Sequence, residues 1–327
     1  MKKNLYIFLG CLVFVSVFLT GCGPKETNPL DKKMRVGVML SDAGLGDESF
    51  SDIAFSGLMK ARDELDIVFE YKEIKDTKTY EKGLTELAEA DNDLIVGMGF
   101  MVKEDLEKVA QKYPQKQFLL LDEVSELENV ASITFKEYEG SYLAGVLAAL
   151  ATKSNIIGFI GGDDKPLIQK FYNGFQDGAK SINPSIKVLV KYAGEFGNDK
   201  LGEKIAKDMI TKKSDVLFAS AGFTGVGVLK EAERQKVYAI GVDSDQYFYA
   251  EKAIISSMVK NIDVALYDFI KNNKDNKKLT SEHIELGIAD QGVGLAPIRA
   301  IHLTDKENAK LQEAKQQVIN GEIKQNQ

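Results

Sequence analysis

Cysteine and histidine are scarce in this 327-residue chain, two of each, which leaves almost nothing for a thiolate or imidazole metal site and too little for a disulfide framework. Basic residues are not in excess: 42 Lys and Arg stand against 49 Asp and Glu, a net charge of -7. There is no overall positive charge to neutralise phosphates, so nucleic acid is not an expected partner. No Gly-Lys-Ser or Gly-Lys-Thr P-loop occurs, Gly44-Leu45-Gly46 lacks the third glycine of a dinucleotide fingerprint, and no G-x-S-x-G elbow is found. Asp163-Asp164 and Asp243-Ser244-Asp245 do not supply the spaced oxygen ligands of an EF-hand loop. His283 and His302 have no neighbouring cysteine or carboxylate pair and read as ordinary residues. Fixed-period repeats and low-complexity tracts are also missing. These absences predict no catalytic residues, no cofactor and no metal: a binding protein rather than an enzyme, relying on carboxylates, lysines, amides and aromatic rings.

The composition that remains, 44% hydrophobic and 28% charged, is that of a globular chain with apolar mass for two cores. At the N-terminus Lys2 and Lys3 precede an apolar run from Leu5 to Leu19, the length of a secretory signal and short of the ~20 residues a membrane-spanning helix needs. The run ends in Leu19-Thr20-Gly21-Cys22, which resembles a bacterial lipobox. That resemblance implies cleavage before Cys22 and a diacylglycerol on its sulfur, so residues 1–21 are read as a lipoprotein signal peptide and 22–33 as a solvated tether. Cys11 departs with the signal, and no disulfide can form in the mature chain.

From Met34 onward, short β-branched runs alternate with segments of helical period. The runs are 35–40, 67–71, 94–98, 118–121, 156–160, 188–192, 216–219, 238–242 and 254–259, several apolar without interruption, as in strands covered on both faces. Strict alternation implies parallel sheets with crossover helices. One (β/α)8 barrel or two doubly wound sheets could result. Two sheets are expected, because 129–134 reads as an extra extended segment not followed at once by a helix, and Lys153-Ser154-Asn155 as a crossing between lobes.

Ligands of open parallel sheets collect at the carboxyl ends of the strands. The loops there carry carboxylates, glycines and phenylalanines: Ser41 to Ser51, Gly97 to Phe100, Asp122-Glu123, Gly161 to Asp164, Gly194 to Gly197, Ala221 to Gly225 and Asp243 to Gln246, with Lys260 after the last run. Rings for stacking, carboxylates to accept from hydroxyl or amine hydrogens, and glycines for close backbone approach suit a flat, polyhydroxylated molecule.

Several motifs together resemble the basic membrane protein family of bacterial substrate-binding lipoproteins, the purine nucleoside receptors among them. They are Ser41-Asp42 with Asp47-Glu48-Ser49-Phe50, Gly97-Met98-Gly99-Phe100, the stretch Phe135 to Gly145, Gly161-Gly162, Gly222-Phe223-Thr224-Gly225, Ile240 to Gln246 and Ser257-Met258-Val259-Lys260. The resemblance implies an α/β, periplasmic-binding-protein type I fold of two hinged lobes, with 34–152 plus about 262–290 forming lobe 1 and 153–261 plus about 291–327 forming lobe 2. It implies a purine nucleoside as ligand, handed to an ABC permease by a monomer anchored in the cell membrane through acylated Cys22 and facing outside the cytoplasm. By motif position it puts the base between Phe50 and Phe196, sets Asp42 and Asp122 facing the base, and gives the ribose to Asp243, Lys260 and the backbone at Gly222. Ser51 stands where many relatives have Asn, which bears on base preference. The rival reading is a surface interaction or regulatory lipoprotein with a vestigial cleft.

Overall fold

Strands β1 (Arg35–Met39), β3 (Leu94–Met98), β4 (Gln117–Leu121) and β8 (Val216–Ser220) are buried along nearly their whole length, as uninterrupted apolar runs require when helices cover both faces of a sheet. In chain order they are joined by α1 (Phe50–Leu65), β2 (Val68–Lys72), α2 (Ile74–Thr77), α3 (Tyr80–Glu89), α4 (Lys103–Lys112), β5 (Val130–Phe135), α5 (Glu137–Ala151), β6 (Ile156–Gly161), α6 (Pro166–Ile182), β7 (Lys187–Tyr192) and α7 (Asp199–Thr211). After β8 follow α8 (Gly222–Gln235), β9 (Tyr238–Asp243), β10 (Ile254–Lys260), α9 (Ile262–Asn273), β11 (His283–Leu286), β12 (Val293–Leu295) and α10 (Asp305–Ile319). The computed structural model describes residues 33–275 and 282–323. The N-terminal apolar run, Cys22 and the tether up to residue 32 lie outside the described residues.

The strands form two six-stranded sheets, β11-β5-β4-β3-β1-β2 and β12-β10-β9-β8-β6-β7. Among the described residues every pairing is parallel except β10 with β12, which is antiparallel. Two open sheets, and not one closed barrel, are therefore the architecture, with the doubly wound α/β lobes expected from the sequence. In each sheet the strand order reverses beside its first strand, between β1 and β3 and between β6 and β8, and such switch points open a crevice at the carboxyl ends.

The grounds for expecting two sheets need correcting. Segment 129–134 is not an extra element: β5 pairs with both β4 and β11, and α5 begins at Glu137, only two residues later. Glu137 and Glu139 occupy the first turn of α5, where negative charge suits the helix dipole, so the helix starts well before its apolar period becomes readable at Tyr142. Helix α5 packs on α6 and on β10 and β12 of the second sheet. A Cβ at Gly178 would lie 1.9 Å from the Tyr142 carbonyl oxygen, so the two helices approach closely only because that side chain is missing. Helix α9 returns to lie on α1.

Candidate functional site

The seven residues expected at the site (Asp42, Phe50, Asp122, Phe196, Gly222, Asp243 and Lys260) all line one cavity of about 80 Å³ at the carboxyl ends of the two sheets. Asp42 follows β1, Asp122 follows β4, and Asp243 and Lys260 are the last residues of β9 and β10. Asp122 and Asp243 leave their strands with φ of +68° and +64°, a left-handed turn that aspartate tolerates better than most residues. Gly222, at φ +52°, opens α8 beside Phe196.

At the floor lies a buried charge cluster. The Lys260 ammonium, on a side chain 2% exposed, is 2.6 and 2.7 Å from the two oxygens of Asp122 and 3.1 Å from Oε1 of Glu137, which is fully buried. Burial by itself disfavours the ammonium, but the charges of Asp122, Glu137 and Asp243 outweigh it and hold the lysine above its ordinary range. Burial pushes the Glu137 carboxyl up, against the pull of Lys260. Burial likewise pushes Asp243 up to about 6, with Lys260 and a hydrogen bond from Ser49 opposing the rise. Asp122 and Lys260, which the resemblance assigns to opposite ends of the ligand, thus touch one another.

The loop from Ser41 to Asp52 is shaped to serve this floor. Ser49 is the N-cap of α1, yet its side chain makes no cap hydrogen bond; the hydroxyl donates instead to Oδ2 of Asp243 on the other sheet. The capping falls to Asp47, which accepts from the backbone N–H groups of Ser49, Ser51 and Asp52 at 3.0, 2.8 and 3.2 Å. Ser51 does not line the cavity: it is fully buried, with its hydroxyl 2.7 Å from that of Ser41. A change of side chain at position 51 therefore reaches the cavity through its neighbours, Ser41 among them.

The two rings come from opposite sheets. Phe50 opens α1 and lies beside Gly99, with the Lys260 ammonium 5.5 Å from its centroid. Phe196 sits in the β7–α7 loop, where its carbonyl accepts from Thr224 N–H at 2.9 Å. Its ring covers Gly162 so closely that a Cβ there would lie 2.1 to 2.6 Å from three ring atoms. Met98, Phe100, Leu167, Ile168 and Phe171 complete an apolar wall. Sequence reasoning missed Glu137 and Phe171 as site residues. Phe171 recurs at helical spacing with Ile168 and Phe175 on α6, as any core residue would, whereas Glu137 was readable as an acid within the Phe135 to Gly145 motif that matched the family. Among the described residues no group of three His, Cys, Asp or Glu side chains is placed to hold a metal ion.

A Listeria monocytogenes protein named CD4+ T-cell-stimulating antigen is 31% identical to this chain over 99% of it and 98% of the relative. The Lactococcus lactis ABC transporter nucleoside-binding protein BmpA is also 31% identical, over 99% of both chains. The crystal structure of an ABC transporter solute-binding protein from Aeropyrum pernix K1 superposes with a TM-score of 0.82 at 27% identity, covering 89% of this chain and 92% of that one. Family and fold are those of solute-binding proteins. With residues 34–327 matching the family model described as ABC transporter substrate-binding protein PnrA-like, the chain belongs to the Bmp family.

Proposed function

We propose that this chain is a lipid-anchored receptor on the outer side of the cell membrane, acting as a monomer, that closes on a purine nucleoside and presents it to an ABC permease. The observation that supports this reading is that two phenylalanines, one from each sheet, line one cavity together with Asp122, Asp243 and Lys260. A purine is flat and apolar on its faces, so it suits Phe50 and Phe196. Ribose hydroxyls donate to carboxylates and accept from an ammonium, so they suit Asp243 and Lys260. The carboxylates outnumber the lysine, which favours uncharged ligands over nucleotides. The Lactococcus relative's name as a nucleoside-binding protein supports the same ligand class, and relatives named as lipoproteins support the anchor at Cys22.

The test is thermal unfolding of the soluble part, from Gly23 onward, over a panel of guanosine, inosine, adenosine, pyrimidine nucleosides and purine nucleotides. A ligand at a hundred times its Kd stabilises the native state by about 2.7 kcal/mol, so purine nucleosides raise the midpoint measurably and nucleotides do not. A panel without any shift refutes the reading.

The protonation of Asp243 supplies a second test. Its pKa of about 6 in the folded chain lies above the ordinary 3.8, so between those values the native state keeps a proton that the unfolded chain releases, and its contribution to stability declines as pH rises through the window. A sugar hydroxyl donating to Asp243 favours the ionised form. Nucleoside affinity is therefore expected to weaken as pH falls through about 6, and calorimetry in buffers of different ionisation enthalpy should register proton release on binding near that pH. Asp243→Asn flattens the profile. A Kd independent of pH from 5 to 7.5 in the parent protein would remove Asp243 from the sugar site.

A further inference from the structure

Beyond the cavity, a second set of polar contacts joins the two sheets. Gln246 does not line the cavity and is 2% exposed. Its side-chain oxygen accepts from the Val242 N–H at 3.0 Å, and its own N–H donates to the Ser257 hydroxyl at 3.1 Å, both within the second sheet's elements. The amide nitrogen reaches the other way, donating to the backbone carbonyl of Glu48 at 3.2 Å. Glu48 belongs to the β1–α1 loop of the first sheet and holds a φ of +53°. Tyr249 follows three residues after Gln246, and burial first, then the charge of Glu48, push its hydroxyl up to about 12.

The loop that carries Gln246 is held firmly on its own side. Arg299 reaches the two oxygens of Asp245 at 2.9 and 2.7 Å, lies 4.7 Å from the centroid of Tyr247, and donates its backbone N–H to Ile255. Gly241 clears the path for Gln246: a Cβ at that position would be 2.7 Å from the amide oxygen and 3.0 Å from the glutamine Cβ. On the opposite side, Glu48 immediately precedes Ser49 and Phe50, so whatever fixes Glu48 also fixes the Ser49–Asp243 hydrogen bond and the position of the first ring.

We infer that Gln246 is a latch that grips Glu48 when the lobes close, setting how long a ligand is held without selecting which ligand it is. The contacts exist only with the two sheets drawn together, so their loss shifts the equilibrium toward the open form. Gln246 does not line the cavity, so it acts through Glu48 and is a positioning residue. The inference rests on the reading of the chain as a receptor that closes on its solute.

Gln246→Met keeps the bulk and deletes the donor to Glu48, while Gln246→Glu keeps the acceptor for Val242 and sets a carboxylate oxygen against the Glu48 carbonyl oxygen, turning an attraction into a repulsion. With radiolabelled inosine chased by excess unlabelled inosine, Gln246→Met should dissociate roughly three- to tenfold faster than the parent, the gain expected from one lost hydrogen bond, and Gln246→Glu faster still. The association rate and the order of preference among guanosine, inosine and adenosine should not change. Small-angle scattering of the ligand-free variants should give a larger radius of gyration. Dissociation rates equal to the parent's, or an altered order of preference, overturn the latch. If the parent binds no nucleoside, the ligand reading fails by itself, and the scattering then decides: equal radii in parent and variants overturn the latch as well.

Discussion

Replacing Lys260 with methionine lowers the unfolding free energy of the ligand-free protein by about 3–5 kcal/mol, the cost of removing one partner from a buried ion pair. Three carboxylates converge on that ammonium, and the two in contact with it, Asp122 and Glu137, have side chains 4% and 0% exposed. Without it they face one another in a site where water cannot screen them. The loss should shrink as pH is lowered, because burial already pushes the Glu137 carboxyl up and protonating it removes charge that the lysine had balanced, so stability then rises with acidity relative to the parent. Glu137→Gln in the Lys260→Met background should recover part of the loss, and the two substitutions should be strongly non-additive. Urea unfolding at pH 7.5 and 5.5 measures all of this. A Lys260→Met protein as stable as the parent, or one whose deficit is the same at both pH values, would mean that the cluster is not the electrostatic unit its distances imply.

The same cluster marks where the sequence stops being readable. Strand-end position is a local property: the loop after an apolar run can be recognised from the run alone, so the loops that carry Asp42, Asp122, Asp243 and Lys260 were legible, and the family resemblance singled out those residues within them; all four line one cavity. Glu137 also follows a strand, but it begins a helix, and an acid in a first turn is already accounted for by the helix dipole. Only the packing of α5 on the second sheet brings it to Lys260. Ser49 presents the same ambiguity in another form. A serine at an N-cap predicts a cap, and the Ser49 hydroxyl crosses to Asp243 because Asp47 caps the helix in its place. The alternation of strand and helix was legible because strands buried on both faces leave uninterrupted apolar runs. The route of the chain between sheets was not, since the pairing of β5 and the face that α5 buries depend on residues more than a hundred positions away, such as His283 and Val293.

Phe196 gives the largest expected effect on binding, and Gly162 provides the means of testing its orientation apart from its presence. Truncating a ring that closes over a bound base should cost about 2 kcal/mol or more, roughly thirtyfold or more in Kd, so Phe196→Ala is expected to lose most of the affinity for guanosine or inosine with little change in stability, the ring being only half-buried. Gly162→Ala leaves the ring in the chain but places a methyl group 2.1 to 2.6 Å from Cε1, Cδ1 and Cζ. The backbone of β6 is pinned by its pairing with β7 and β8, and the Gly162 N–H donates to the Ser220 carbonyl at 2.9 Å. The side chain of Phe196 is therefore the part that moves, and it swings away from its place in the cavity wall. Affinity should fall in this variant too, while the unfolding midpoint stays close to the parent's. Because both substitutions remove the same stacked ring from the same place, the double variant should bind no more weakly than Phe196→Ala alone, a non-additivity that separately acting sites do not produce. Isothermal titration of the four proteins completes the cycle. If Gly162→Ala binds like the parent, or if the two losses simply add, the ring over Gly162 is not the one that holds the base.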